Sequence, residues 1–239
     1  MSIEKNKIIF VNKALVKLYG IPPRPEIPPD PVDMLIGTIL SQNTNDRNSY
    51  KAFLKLKEKY KSWEEVAVQP LAKIESNINI AGLGKQKSIA IKNFLVSILK
   101  TYRKISLEHL RSKTNDQILH ELTSYRGVGI KTAMCVLLFS LRRNVCPVDT
   151  HVHRTTNRIG IVFTKTPDKT SIILNKDMPK RIAHQFHTNL IRLGREICKS
   201  AVPNCSICPL LKICEFPDKN LSGIKSYKTN NFMLLDSIY

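Results

Sequence analysis

Three groups of residues in this 239-residue chain could do chemistry. The first is Tyr125–Cys135, YRGVGIKTAMC, where Gly127 and Gly129 flank Val128 and Lys131 follows two places later. A Walker loop is excluded, because its lysine directly follows the last glycine, and here Ile130 intervenes. Glycines instead permit a sharp turn and close backbone approach, and a helix start after them offers free N–H groups to a phosphate. An ordinary helix–helix corner uses the same glycines. Lys131 falls in the first turn of the following helix, where the dipole and partial burial both favour a neutral, nucleophilic amine. A simple phosphate-contacting lysine is the other reading. The second group is PVDTHVHR, Pro147–Arg154. Asp149 has the type and place of a helix N-cap, and a carboxylate there can also stabilise positive charge on a sugar ring. His151, Arg154 and Arg158 recur three or four apart, the spacing of a cationic stripe or of a solvated helix face.

The third group is Cys198, Cys205, Cys208 and Cys214, spaced C-x6-C-x2-C-x5-C. Four thiolates hold either a structural zinc or a four-iron cluster. Zinc ribbons use two close cysteine pairs on separate arms, and this set has a single C-x2-C pair, which suits a larger cluster wrapped by one loop. The remaining two cysteines, Cys135 and Cys146, read as small buried apolar residues.

The elements around these groups read as helices. PPDPVDMLIGTIL starts with Asp30 as a cap and Pro31 in the first turn, then repeats apolar residues at Val32, Leu35, Ile36, Ile39 and Leu40. TNDQILHELTSY opens with Thr114 and Gln117 in capping-box spacing. KTAMCVLLFSL is apolar on all sides, so it predicts a buried helix, and MPKRIAHQFHTNLIRLGREIC predicts an amphipathic one. No segment alternates like a strand, so the fold is all-α. IPPRPEIPPDP reads as a connector, and a second break lies at Arg142–Pro147. With 38 Lys and Arg against 19 Asp and Glu, the formal charge is +19, which favours a polyanionic partner through phosphate neutralisation. The N-terminal stretch reads as an amphipathic, lysine-rich helix rather than a signal peptide, and no apolar run reaches membrane-spanning length. The expectation is an intracellular protein, with no membrane partner and with reduced thiols.

In this order and spacing, GVGIKTA, PVDTHVHR and the cysteine set resemble the endonuclease III family of DNA glycosylases, over residues 30–216. The resemblance implies two helical domains. Residues 29–146 would form a six-helix barrel carrying the helix–hairpin–helix. Residues 1–28 and 147–220 would form a helical domain holding a [4Fe-4S] cluster on the four cysteines. Residues 221–239 would form a C-terminal tail, and DNA would lie across a cleft between the domains. It further implies a bifunctional DNA glycosylase and AP lyase of base excision repair, removing oxidised pyrimidines. Lys131 would attack C1′ and form a Schiff base, Asp149 would support charge developing on the sugar, and β-elimination would cut the strand. The damaged base must first be flipped from the stack.

ILSQNTNDRNSYKAF is similar to the family's gap-filling segment, placing that role at Asn43 with Gln42 beside it. AGLGKQKSIAIKNF is similar to the segment with an apolar wedge, placed at Leu83. Gly127, Val128, Gly129, Thr132 and His151 complete the expected DNA contacts. Tyr125-Arg126 stands where the family commonly has Leu-Pro. The adenine-mismatch branch needs a glutamate in the first barrel helix, where this chain has Thr38 and no glutamate from Asp33 to Phe53. The thymine-mismatch branch typically has tyrosine at the place of Lys131. The alternatives are a glycosylase for thymine or uracil opposite guanine, or a non-catalytic DNA-binding protein. The expected partner is double-stranded DNA with a damaged base or abasic site, met by a monomer in the cytoplasm, at the nucleoid.

Overall fold

The computed structural model describes residues 5–222, and among them no strand occurs. The α-helices in chain order are α1 (Lys5–Tyr19), α2 (Pro31–Ser41), α3 (Asp46–Lys59), α4 (Trp63–Val68), α5 (Leu71–Ile78), α6 (Gly84–Tyr102), α7 (Asn115–Ser124), α8 (Ile130–Cys135), α9 (Thr150–Ile159), α10 (Pro167–Lys176) and α11 (Ala183–Glu196). None of them is long and apolar enough to cross a membrane.

Local sequence chemistry accounts for where several helices begin. The Asp30 carboxylate accepts from the backbone N–H groups of Val32 at 2.8 Å and Asp33 at 3.1 Å, with Pro31 inside the first turn. Thr114 and Gln117 make a complete capping box at α7: each side chain accepts from the other residue's backbone N–H. Thr166 caps α10 through the Lys169 N–H, and Pro167 opens that helix.

The chain divides into two compact units. Among the described residues, one runs from Arg24 to Arg143, and the other joins residues 5–23 to residues 144–222. These divisions fall a few residues before the expected ones at 28/29 and 146/147. The reason lies in Arg142, at the end of the first unit: its guanidinium donates to the carbonyls of Pro25 at 2.6 Å and Glu26 at 2.7 Å. The proline connector is thereby held to the Arg24–Arg143 unit.

In that unit α2 packs on α3 and α8, α5 on α6, and α7 on α8. Its buried side chains include Leu35, Ile36, Ile39, Phe53, Leu56, Ile74, Ile91, Phe94 and Leu95. The other unit packs α1 and α9 against α11. Ile8, Val11 and Leu15 of α1 meet Val152 of α9 and Phe186, Leu190 and Leu193 of α11 in one apolar cluster. A chain that leaves its first helix with its last ones makes the second unit discontinuous in sequence.

One element departs from the sequence expectation. The apolar run after Lys131 is not a single α-helix: α8 ends at Cys135 and Val136–Ser140 widens into a π-helical turn. Leu141 donates to the Val136 carbonyl at 3.0 Å, five residues back. π turns interrupt helices rarely, and they occur often at functional sites. The expected tail, 221–239, lies outside the described residues apart from Leu221 and Ser222.

Candidate active site

The hairpin is built on α6. Tyr125 ends α7 with its ring edge-on to Phe94, centroids 5.3 Å apart. Burial, the largest cause, with Glu121 and Tyr102 nearby, pushes the Tyr125 phenol up to about 12, so it stays an uncharged anchor. The Val128 N–H then closes the turn onto the Tyr125 carbonyl at 3.0 Å. Gly127 sits at φ +94, in the left-handed region. A Cβ at residue 127 would lie 2.5 Å from the Ala90 Cβ. Here glycine is required twice over, by backbone conformation and by contact. Gly129 occupies the N-cap of α8 and contributes no side-chain cap, leaving that helix start to other partners.

Lys131 lies half-buried in the first turn of α8. Beside it, Thr132 is 2% exposed, and its hydroxyl accepts from Gln42 Nε2 at 3.4 Å. The segment that follows α2 and the start of α8 are thus brought together within one unit. Asn43 is exposed at φ +51, and Leu83 at φ +51 is 48% exposed. An exposed leucine held in a strained backbone conformation is an unusual surface feature. Val128 and Thr132, expected as DNA contacts, have buried side chains.

Asp149 lies in the other unit. It is half-buried and caps α9, accepting from the Val152 N–H at 2.7 Å. His151 follows in the first turn. Burial, the largest cause, holds its imidazole below the ordinary value, with Asp149 opposing and Arg154 and Arg195 reinforcing. The expected cationic stripe is corrected by the geometry. Arg154 donates to the Gly194 carbonyl at 2.8 Å and the Cys198 carbonyl at 3.0 Å. Arg158 donates to the carbonyls of Lys199 at 2.7 Å and Ser200 at 2.9 Å, and its guanidinium lies 4.1 Å above the Phe216 ring. Both arginines are committed to holding the cysteine loop. Sequence spacing showed that they share a face, but not what that face meets.

Cys198, Cys205, Cys208 and Cys214 all line one pocket, together with Arg158, Ile197 and Phe216. Among the described residues, no three His, Cys, Asp or Glu side chains converge on a single ion. A tetrahedral zinc would draw its sulfurs onto one centre at about 2.3 Å, whereas an iron–sulfur cluster takes each thiolate on a different iron. Burial, the largest cause, pushes the Cys208 thiol up to about 12, and the other three thiols add to the shift. Four thiolates so placed need a cationic group among them. Four cysteines lining one pocket are a donor set that fits an iron–sulfur cluster. Cys135 and Cys146 are buried elsewhere, as expected.

Residues 36–180 match the HhH-GPD superfamily of base excision DNA repair proteins. Endonuclease III of Thermotoga maritima is 36% identical over 194 residues, covering 81% of this chain and 87% of that protein. An Arabidopsis thaliana protein provisionally named a DNA glycosylase is 35% identical over 194 residues, covering 80% of this chain and 65% of its own length, so the chain spans just under two thirds of that relative. A solved structure described as a trapped endonuclease III–DNA covalent intermediate superposes with a TM-score of 0.75 at 28% identity, covering 88% of this chain and 95% of that one. The chain belongs to the endonuclease III family within the HhH-GPD superfamily. It is a DNA glycosylase of base excision repair.

The turn geometry generates a paired expectation. Gly127→Ala should lower folding stability by about 1–3 kcal/mol, from the left-handed backbone and the contact with Ala90. Gly129→Ala, at φ −92 with nothing within 4 Å of its Cβ, should stay within about 0.5 kcal/mol. Urea unfolding midpoints of the two variants check this, and equal losses would contradict it.

Proposed function

We propose that the chain is a bifunctional glycosylase and AP lyase that removes oxidised pyrimidines from duplex DNA. The observation that carries the reading is Lys131, a primary amine in the first turn of α8, directly after a turn that only glycine can make. The amine attacks C1′ of the damaged nucleotide. The C1′–N bond breaks and the base departs with its electron pair, taking up a proton. The C1′–O4′ bond then opens, O4′ takes up the proton the amine has released, and the Lys131 nitrogen becomes a C1′ iminium that acidifies the C2′ hydrogen. Loss of that proton expels the 3′ phosphate and cuts the strand. Asp149 stabilises the positive charge on the sugar as the base leaves. The trapped covalent intermediate of the neighbouring endonuclease III supports a covalent course.

Gly127 and Gly129 present backbone to a phosphate, which grips DNA without reading sequence. Gln42 and Asn43 fill the space left by the flipped base, Leu83 wedges the stack, and His151 contacts the backbone. The formal charge of +19 supports duplex DNA as the partner, met by a monomer in the cytoplasm. Cys198, Cys205, Cys208 and Cys214 would hold a [4Fe-4S] cluster, which when bound supplies the charge that keeps four thiolates together. The residues around it hold the loop whose lysines, Lys199 and Lys212, are exposed.

Borohydride should trap wild-type protein on abasic duplex. Lys131→Ala should lose the adduct by at least about 10³-fold while duplex affinity changes less than about threefold. An undiminished adduct would move the chemistry to another amine. A panel of oxidised, deaminated and mismatched duplexes should show oxidised pyrimidines cut fastest. Anaerobically purified protein should contain iron and sulfide at about four each, and one zinc per chain would contradict the cluster.

A further inference from the structure

Lys87 is a lysine that does not behave as a surface residue. It sits in α6, is 2% exposed, and its ammonium donates to the carbonyls of Leu40 and Ala81, each at 2.8 Å. Leu40 is the penultimate residue of α2, and Ala81 closes the short helical turn Asn79–Ala81. Both acceptors stand at C-terminal ends of helical segments, where carbonyls lack intrahelical partners and a cation is favoured. Burial lowers the Lys87 pKa from its ordinary value. An ammonium is costly to bury unless it is hydrogen-bonded, and packing alone would be served by an apolar side chain of the same length.

What lies just beyond each acceptor gives this contact its meaning. Three residues after Leu40, Asn43 adopts φ +51. After Ala81 the chain passes through Gly82 at φ +70 and then Leu83 at φ +51. Left-handed non-glycine residues are strained and persist where surrounding contacts over-determine them. One nitrogen atom fixes the starting point of both strained loops. Those loops carry the side chains assigned above to filling and wedging the duplex. The second of them is also braced by close packing, since a Cβ on Gly84 would run into the Asn79 side chain.

We propose that Lys87 is a positioning residue that locks the Gln42–Asn43 loop to the Leu83 loop, so that the two enter a duplex as one rigid device for displacing a base. The proposal rests on the reading of those loops as the base-displacing set. Lys87 touches no substrate in this account. Its contribution is confined to the step in which a paired base is unstacked. Chemistry at a sugar that already lacks its base does not draw on it.

The test uses single-turnover rates of full-length protein on two duplexes, one with a paired oxidised pyrimidine and one with an abasic site. For Lys87→Met the rate on the paired lesion should fall about tenfold or more, while the abasic rate stays within about threefold. Leu83→Ala, measured alongside, should show the same split. Hydrogen exchange should quicken in both loops of Lys87→Met and stay unchanged in α7 and α8. Parallel losses on the two duplexes, or no loss on either, would overturn the proposal. If Leu83→Ala shows the split and Lys87→Met does not, Lys87 is not the lock and the wedge reading stands. If Leu83→Ala leaves the ratio unchanged, the wedge reading falls, and the role of Lys87 with it. Should Lys87→Met not fold, Lys87→Gln is measured in the same way. Failure of both variants to fold would assign the ammonium to stability alone and also overturn the proposal.

Discussion

The place of Lys131 depends on a contact between two pieces of backbone. α7 must reverse into α8 against the face of α6 that carries Ala90 and Phe94, one helical turn apart. Phe94 takes the Tyr125 ring, and Ala90 leaves no room for a side chain at residue 127. The backbone can approach so closely only as glycine at φ +94. From there the start of α8 is determined, and with it the first-turn position of the lysine. The same placement puts Thr132 within reach of Gln42, so the amine and the end of α2 belong to one rigid neighbourhood.

In the other unit, α9 plays the comparable part. Its N-cap is Asp149. Two turns of the same helix send Arg154 and Arg158 to the carbonyls of Gly194, Cys198, Lys199 and Ser200. The Arg158 carbonyl in turn accepts from the Cys214 thiol at 3.2 Å and from the Glu215 N–H at 3.0 Å. Both ends of the cysteine loop are therefore hung on the helix that Asp149 begins. Gly160 ends α9 at φ +81 with the Glu215 carboxylate packed where a Cβ would project, which holds the loop's return close to the helix.

The features legible in the sequence were those whose cause is local. Asp30 with Pro31, Thr114 with Gln117, and Asp149 before an amphipathic run each announce a helix start through groups a few residues apart, and each was found as a cap. The glycine pair and the cysteine spacing were legible because few structures need those types at those intervals. Features set by distant partners were not legible. Nothing in an all-apolar run distinguishes an α turn from the π turn at Val136–Ser140, since every residue there is buried in either case. Arg154 and Arg158 read as solvent-facing because their acceptors lie about 40 residues away. Lys87 reads as one more basic residue on a lysine-rich helix, and only the folded positions of Leu40 and Ala81 show that it points inward.

The central claim is that one amine bonds to deoxyribose, and the most direct measurement is the identity of that amine. Wild-type protein reduced on abasic duplex can be digested, and the nucleotide-bearing peptide sequenced by mass spectrometry. The account predicts the modification on Lys131 alone. A modification on any other lysine, or on the chain's terminal amine, would contradict it.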